Sequence, residues 1–287
     1  MAMGPDWRAE DLWLASRALV EGLSIELLPE AGSTNADALA RLRSGDAGPG
    51  LIVAERQTAG RGRLGRPWWS APGASLTFSL ALPLAPADWG GLSLAVGLAV
   101  AEALDPLRDG QAPRIGLKWP NDLWLLDGER KLAGILIETA ALPAGLPAPV
   151  VWPGQAASAG ARHTVIGIGV NIAARPDAAT GDRRTFGSGY AGLQEIDTAL
   201  DAPAALARLL PGLLHTLRRF EQQGWAPLRP AYARRDLLAG RTVQAGDLRG
   251  RAAGVDAQGA LLLDVAAPGE PARLQPVLAG DVSVRPC

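Results

Sequence analysis

Residues 57–69, QTAGRGRLGRPWW, decide which fold this chain can have. Read literally, Gly60, Gly62 and Gly65 satisfy the GxGxxG dinucleotide fingerprint. A Rossmann turn, however, must open a helix whose N-terminus meets the pyrophosphate. Here Pro67, Trp68 and Trp69 follow instead, and no acidic residue ends a second strand about 20 positions further on. The Walker pattern GxxxxGK[ST] is absent throughout. What remains is a loop carrying Arg61, Arg63 and Arg66 on a glycine-permitted backbone. Such a loop wraps an anion closely, with N–H groups and guanidinium forks turned inward. A solvated hairpin loop is the plain alternative. The adjoining tryptophans weigh against it, because exposed indoles need a partner or a ligand.

Working outward, the flanking segments read as alternating strands and helices. Residues 33–43 (STNADALARLR) have helical spacing, with Ser33 or Thr34 available as cap and Ser44-Gly45 as stop. Strand-like runs lie at Leu51–Glu55 and Ser75–Leu82 on either side of the loop, and Leu92–Leu104 reads as a buried helix. Three strands are expected next, Ile115–Trp119, Asp122–Leu126 and Ala133–Thr139, the first two joined by a tight Pro120-Asn121 turn. Thr164–Ile172 is again strand-like. The Ala-, Gly- and Pro-rich residues 140–162 before it read as a surface insertion, mobile and without catalytic value. Leu206, Leu209, Leu210, Leu213, Leu214, Leu217 and Phe220 recur at helical spacing, although Pro211 inside the pattern predicts a kink or a delayed start. From Gly240 short strands (Arg241–Ala245, Leu248–Val255, Ala260–Val265, Ala272–Val277) alternate with Gly- and Pro-bearing turns, as in a small barrel of SH3-like size. The architecture expected is α+β: a mixed sheet with helices covering one face, plus a compact β appendix. The divisions are an N-terminal segment 1–24, a catalytic domain 25–238 and a β domain 239–287.

Composition narrows the function. The 287 residues carry 28 basic and 29 acidic side chains, which removes the broad positive field of a dedicated nucleic-acid binder. Cys287 is the only cysteine and His163 and His215 the only histidines, which excludes a disulfide framework and a multi-Cys or His-rich metal site. A reducing cytoplasm fits best. The start, residues 1–10, lacks the apolar core of a signal peptide, and Leu92–Leu104 is too short to span a bilayer.

Two further stretches stand out. KWPND (118–122) and RKLAG (130–134) hold both lysines of the chain, Lys118 and Lys131, while every other basic side chain is arginine. Those two sites call for a compact ammonium rather than a planar fork, unless both are chance survivors on a surface strand. Asn121-Asp122 suits a turn equally well, or Asp122 beside Lys118 helps hold a metal-bound triphosphate or a substrate amine. In IGIGVNI (166–172), alternating glycines permit a ligand to approach the strand backbone closely, or mark a bulge.

Taken together these segments resemble biotin–protein ligases, the enzymes that attach biotin to a lysine of a carrier protein. The matching pieces run in family order: Ser33-Thr34-Asn35, Gln57 with GRGRLGRPWWS (60–70), KWPNDLWL (118–125), RKLAGILIE (130–138), IGIGVNI (166–172) and QGALLL (258–263). The resemblance implies a catalytic domain of the class II synthetase and lipoate-ligase type with an SH3-like C-terminal domain. It also implies a two-step reaction through biotinyl-AMP that uses ATP and Mg2+ and ends on the lysine of a biotin carboxyl carrier domain. Neither step requires an enzyme nucleophile, in keeping with a chain that offers no Cys or Ser–His centre. By the same resemblance Ser33, Thr34, Asn35 and Gln57 contact the biotin head. Gly60, Arg61, Gly62 and Arg63 form the loop that closes over biotin and the acyl phosphate, flanked by Arg66 and Trp68. Lys131 sits on the biotin carboxylate and phosphate oxygens, and Lys118 and Asp122 on the reacting phosphate, metal or incoming amine. Gly134 and Gly167 wall the pocket, Asn171 faces the adenine, and Tyr190 is the candidate for the aromatic that covers the adenylate. Arg63, Lys118, Asp122 and Lys131 are thus the catalytic candidates.

The chain departs from the family pattern at Leu64, where the family often has arginine, and at Gly128-Glu129, which lengthens a hairpin. The residues before Ser33 are too few for a three-helix DNA reader, which predicts a monofunctional ligase that binds no DNA, as monomer or homodimer. The rival enzyme is a lipoate ligase or octanoyltransferase of the same fold. KWPND, RKLAG and the C-terminal β unit oppose it. A repressor that uses biotinyl-AMP only as a signal and a non-catalytic biotin scaffold are the rivals of other classes.

Overall fold

The computed structural model describes residues 6–142, 149–156, 160–174, 189–265, 273–279 and 284–286. Helix α1 (Ala9–Arg17) leads into strand β1 (Ser24–Ala31), helix α2 (Thr34–Arg43), β2 (Gly50–Gln57) and β3 (Ser75–Leu84). Helix α3 (Leu92–Leu104) follows as the apolar run requires, then β4 (Ile115–Lys118), β5 (Asp122–Leu125), β6 (Arg130–Ala141) and β7 (Arg162–Asn171). The seven strands form one mixed sheet in the order β1-β2-β3-β7-β6-β5-β4, in which only β1 and β2 run parallel. Strand β1 was not evident from the sequence. Its Pro29 interrupts the run, which an edge strand tolerates because one side of it needs no ladder partner.

The leucine pattern after residue 200 folds as α4 (Ala202–Gln223), with Leu206, Leu209, Leu210, Leu213, Leu214, Leu217 and Phe220 all buried. Pro211 lies within the helix without ending it. Its missing N–H leaves the carbonyl of Ala207 unbonded, and Ala207 is on the exposed face, where water can satisfy that carbonyl. α3 and α4 pack on each other and on the sheet face bearing Leu51, Val53, Phe78, Leu80, Ile166 and Ile168. Because side chains alternate along a strand, Ile52, Ala81 and Val165 point the other way, and there they meet Ala38 of α2. Helices therefore lie on both faces rather than one. The large pair builds the core, and α2 covers only one end of the opposite face.

One buried ion pair and a run of backbone bonds fix the route to the C-terminal unit. Asp105, at the end of α3, is fully buried against Arg235, which follows α5 (Arg229–Ala233). Burial alone would push the Asp105 carboxyl up, but Arg235 and the N–H groups of Ile115 and Arg114 outweigh it and hold it below the usual range. The chain at 235–237 then bonds along edge strand β4, with Leu117 N donating to Arg235 O at 2.7 Å and Leu237 N to Leu117 O at 2.9 Å. Beyond it β8 (Thr242–Ala245), β9 (Leu248–Val255), β10 (Leu261–Val265), β11 (Arg273–Val277) and β12 (Val284–Pro286) form a separate antiparallel sheet in the order β11-β10-β9-β8-β12. The last strand extends the four expected. This unit is docked firmly: Trp119 Nε1 donates to Gly259 O at 3.0 Å and Trp225 Nε1 to Asp256 O at 3.1 Å.

Residues 140–162 connect β6 to β7, and part of them falls outside the described residues. Within the described part Val151 and Trp152 are buried in the main core, and Glu21 N donates to Val151 O at 2.9 Å. The connection is thus fastened at this point rather than lying wholly on the surface, because an apolar Val-Trp pair cannot stay in water at no cost.

Candidate active site

The sheet face away from α3 and α4 is floored with glycine and short polar side chains. Gly167, Gly169 and Asn171 of β7 share it with Ser75, Thr77 and Ser79 of β3 and with Gly134 of β6. Glycine is needed at two of these positions. A methyl group at Gly169 would overlap the Trp68 indole, and one at Gly167 would overlap the Asn35 amide. The 57–69 loop thus lays Trp68 directly on the backbone of β7, which explains the IGIGVNI pattern without a bulge there, since β7 stays in register with β3 from Ser75 to Leu84.

At one end of this floor Ser33 stands at the N-cap position of α2, but its side chain makes no cap bond. Gln57 takes that role. Its Oε1 accepts from Thr34 N at 2.9 Å and from the Thr34 hydroxyl at 3.2 Å, satisfying a helix N–H that would otherwise be orphaned. Asn35, buried, donates to Glu138 Oε2 at 2.8 Å and to Leu136 O at 3.3 Å, and its Oδ1 lies 2.6 Å from Ser79 Oγ. Ser79 and Glu138 are residues that motif reading passed over. Glu138 ends a quoted motif, and Ser79 is hidden in an apolar strand.

The loop itself is pinned by backbone bonds from Trp68 N to Gly60 O and from Gly62 N to Arg66 O, at 2.8 and 2.7 Å. Arg61 and Arg66 are exposed. Arg63 reaches across to Asn121 Oδ1 at 3.1 Å and to the carbonyl of Ala279 in the C-terminal unit. Leu64 takes a left-handed φ of 58° and is exposed, so an arginine here would point to solvent.

At the other end Lys131 Nζ pairs with Asp122 Oδ1 at 2.7 Å and lies 5.8 Å from the centre of the Trp68 ring. Lys118 Nζ sits 4.5 Å over the ring of Trp124. Asp122 and Gly134 are register partners between β5 and β6, so KWPND and RKLAG form neighbouring strands of one hairpin. Asn171 is buried and donates from Nδ2 to the Lys131 carbonyl at 3.1 Å, holding the strand that presents the lysine. Tyr190 bridges to Lys131 and meets Trp69 edge-on at 6.3 Å. Its segment is tied down by Arg130 and Glu195, 2.7 Å apart, and the bond from Arg130 holds the Glu195 carboxyl below its ordinary range. Apart from Arg61 and Arg66, which are exposed on the loop, the site residues expected from the sequence line one sheet face or its rim. Trp69, Ser79, Asn121 and Glu138 join them.

A glycine floor, an arginine loop and a lysine–carboxylate pair together offer close backbone approach and positive charge to an anionic ligand. Comparison with known proteins makes the class specific. The family model for the Biotin/lipoate A/B protein ligase family matches residues 33–144, and that for the Biotin protein ligase C terminal domain matches residues 240–285. The chain is 38% identical over 271 residues to the bifunctional ligase/repressor BirA of Salmonella typhimurium, spanning 91% of this chain and 74% of that protein. It is 34% identical over 271 residues to the biotin–[acetyl-CoA-carboxylase] ligase of Mycobacterium tuberculosis, spanning 90% and 88%. The solved structure of the Aquifex aeolicus biotin protein ligase in complex with biotin and ATP aligns with a TM-score of 0.69 at 26% identity, over 92% of this chain and 99% of that one. The chain belongs to the biotin protein ligases. Among its described residues no helix is long and apolar enough to cross a membrane, and the part before β1 holds one nine-residue helix, α1, packed on the core.

Proposed function

We propose that this ligase activates biotin with ATP to biotinyl-5'-AMP and transfers biotin to a lysine of a biotin carboxyl carrier domain. In the first step a biotin carboxylate oxygen attacks the α-phosphorus, an O–P bond forms, and pyrophosphate leaves with the electrons of the bond that breaks. In the second the carrier amine attacks the acyl carbon, a C–N bond forms, and AMP leaves. The amine's proton passes to solvent by way of the Asp122 carboxylate. Positioning and charge carry the rate.

The observation that carries this reading is the Lys131–Asp122 pair at 2.7 Å, set beside Trp68 over the glycine floor. An ammonium there offsets charge on the biotin carboxylate and the α-phosphate together, and its partner carboxylate is at hand when an amine arrives. Arg61 and Arg63 serve as clamps on the acyl phosphate, Lys118 meets the reacting phosphate, and Arg66 and Trp68 flank the nucleotide. Asn171, by holding the Lys131 strand, and Tyr190, by its rim position, complete the adenylate end. Ser33, Thr34, Asn35, Gln57, Gly60, Gly62, Gly134 and Gly167 surround biotin.

The described residues form no cluster of three carboxylates, imidazoles or thiols, and the Asp122 carboxylate is already paired. Mg2+ enters as the counter-ion of the ATP substrate. The relative from Mycobacterium tuberculosis is named for acetyl-CoA carboxylase, which supports a carboxylase carrier domain as partner, and a chain with Cys287 as sole cysteine suits a reducing cytoplasm. The test is incubation with labelled biotin or lipoate, ATP and apo-carrier. Stable biotin on the carrier, with stoichiometric AMP and pyrophosphate, is the expected outcome. Preferential lipoate transfer overturns the reading.

A further inference from the structure

The orientation of two amides at the biotin end follows from obligate donors and acceptors alone. A carboxylate and a carbonyl only accept, so the Asn35 atom facing Glu138 Oε2 and Leu136 O must be its NH2. Both of its protons are then used within the protein. Oδ1 turns the other way, toward Ser79 Oγ and the backbone of Gly167, where a methyl group would strike it. Gln57 is fixed in the opposite sense. A backbone N–H only donates, so the atom at Thr34 N must be Oε1, and the Gln57 NH2 is left beside Gly60, 3.3 Å from where a side chain there would begin.

We propose that Glu138 is a specificity-determining positioning residue that makes Asn35 an acceptor toward the ligand by holding its amide nitrogen. Glu138 does this from β6, on the same face as Gly134, without itself having to touch the ligand. The site then offers an acceptor from Asn35 and a donor from Gln57, both fixed before binding. A cyclic urea, with N–H groups and a carbonyl on one ring, satisfies both. A dithiolane or an alkyl chain satisfies neither, and leaves the Gln57 NH2 and the second lone pair of Asn35 Oδ1 without a ligand partner. This inference rests on the biotin reading and says how that reading is enforced against lipoate.

Biotin-dependent pyrophosphate release tests it. Glu138→Met removes the acceptor, and the biotin KM is expected to rise about tenfold or more. The ATP KM and the kcat at saturating biotin should stay within about twofold, since the phosphate end is untouched. Glu138→Gln keeps an oxygen that can accept from Asn35 and should hold the biotin KM within about threefold of the parent. If Glu138 acts through Asn35, adding Glu138→Met to Asn35→Ala should change the biotin KM by less than about twofold. A biotin KM unchanged by Glu138→Met, an equal rise in ATP KM, or a full additional effect on top of Asn35→Ala would each overturn the proposal. Glu138→Ala serves the same comparisons if the methionine variant does not fold. Pyrophosphate release by the parent enzyme with lipoate but not biotin would overturn the biotin reading as well, and is distinguished by appearing before any substitution is made.

Discussion

Around Asn35, side chains from α2, β2, β3 and β6 satisfy one another, while around residues 60–66 two of the three arginines lie exposed. In the first region Asn35 is buried and most donors and acceptors are committed within the protein, leaving the Gln57 NH2 and one lone pair of Asn35 Oδ1 for a ligand. The second carries its charge on a loop pinned by a few backbone bonds and by the reach of Arg63 to Asn121. A region already organised gives much the same interactions to substrate and transition state, and so sets affinity and selectivity. Charge brought onto a phosphate as negative charge builds up there sets the rate. The contrast assigns KM to one end of the site and kcat to the other.

The largest effect is expected at Lys131. Lys131→Arg keeps the charge, but a planar fork cannot take the place of a compact ammonium 2.7 Å from Asp122. We expect kcat for pyrophosphate release to fall by about a hundredfold or more, with the biotin KM little changed. Near-normal turnover would break the assignment of rate to this end. Gly167→Ala puts a methyl group on the Asn35 amide and should raise the biotin KM by about ten- to thirtyfold while kcat holds. A fall in kcat instead would blur the contrast. Gly169→Ala displaces the Trp68 indole, which belongs to the loop, and should lower kcat by about tenfold. Intrinsic tryptophan fluorescence would report the displaced ring.

The smallest effect concerns the strap beside Tyr190. The Glu195 pKa is lowered in the folded state by its bonds from Arg130, so its contribution is present above the unfolded value and is lost as pH falls through the folded one. Glu195→Gln should therefore cost about 0.5 kcal/mol at pH 7, after allowing for the partial exposure of both partners. In urea melts the difference from the parent should shrink as pH falls below the ordinary carboxylate range and through the lowered folded value.

The two regions also differed in how far they could be read from residues. The arginine loop, the two lysines and the glycine pairs announced themselves because their types are rare for a strand or a turn. Leu92–Leu104 and the leucine stripe of α4 were legible for the same reason that makes them fold, an apolar periodicity that only burial satisfies. Ser79 was not legible, since a serine within TFSLAL looks like a neutral strand residue until Asn35, 44 positions earlier, arrives at its hydroxyl. Asp105 and Arg235 were equally silent. They are 130 residues apart, and nothing local marks this arginine among so many others as the buried one. The second face of the sheet, with α2 on it, was missed because the sequence pattern of a short helix states which side is apolar but not which surface receives it.

By itself the sequence determined the chemistry available to this protein: no Cys or Ser–His centre, two lysines placed in adjacent motifs, and an anion-wrapping loop that cannot open a dinucleotide helix. Local composition is enough for that, because residue type and spacing limit which charges can gather. Only the tertiary structure decided how those groups are aimed. Trp68 rests on Gly169, Trp119 reaches Gly259, and Glu138 orients Asn35. Each of these depends on strands meeting in register across long separations, and a hydrogen bond's direction exists only once both partners are in place.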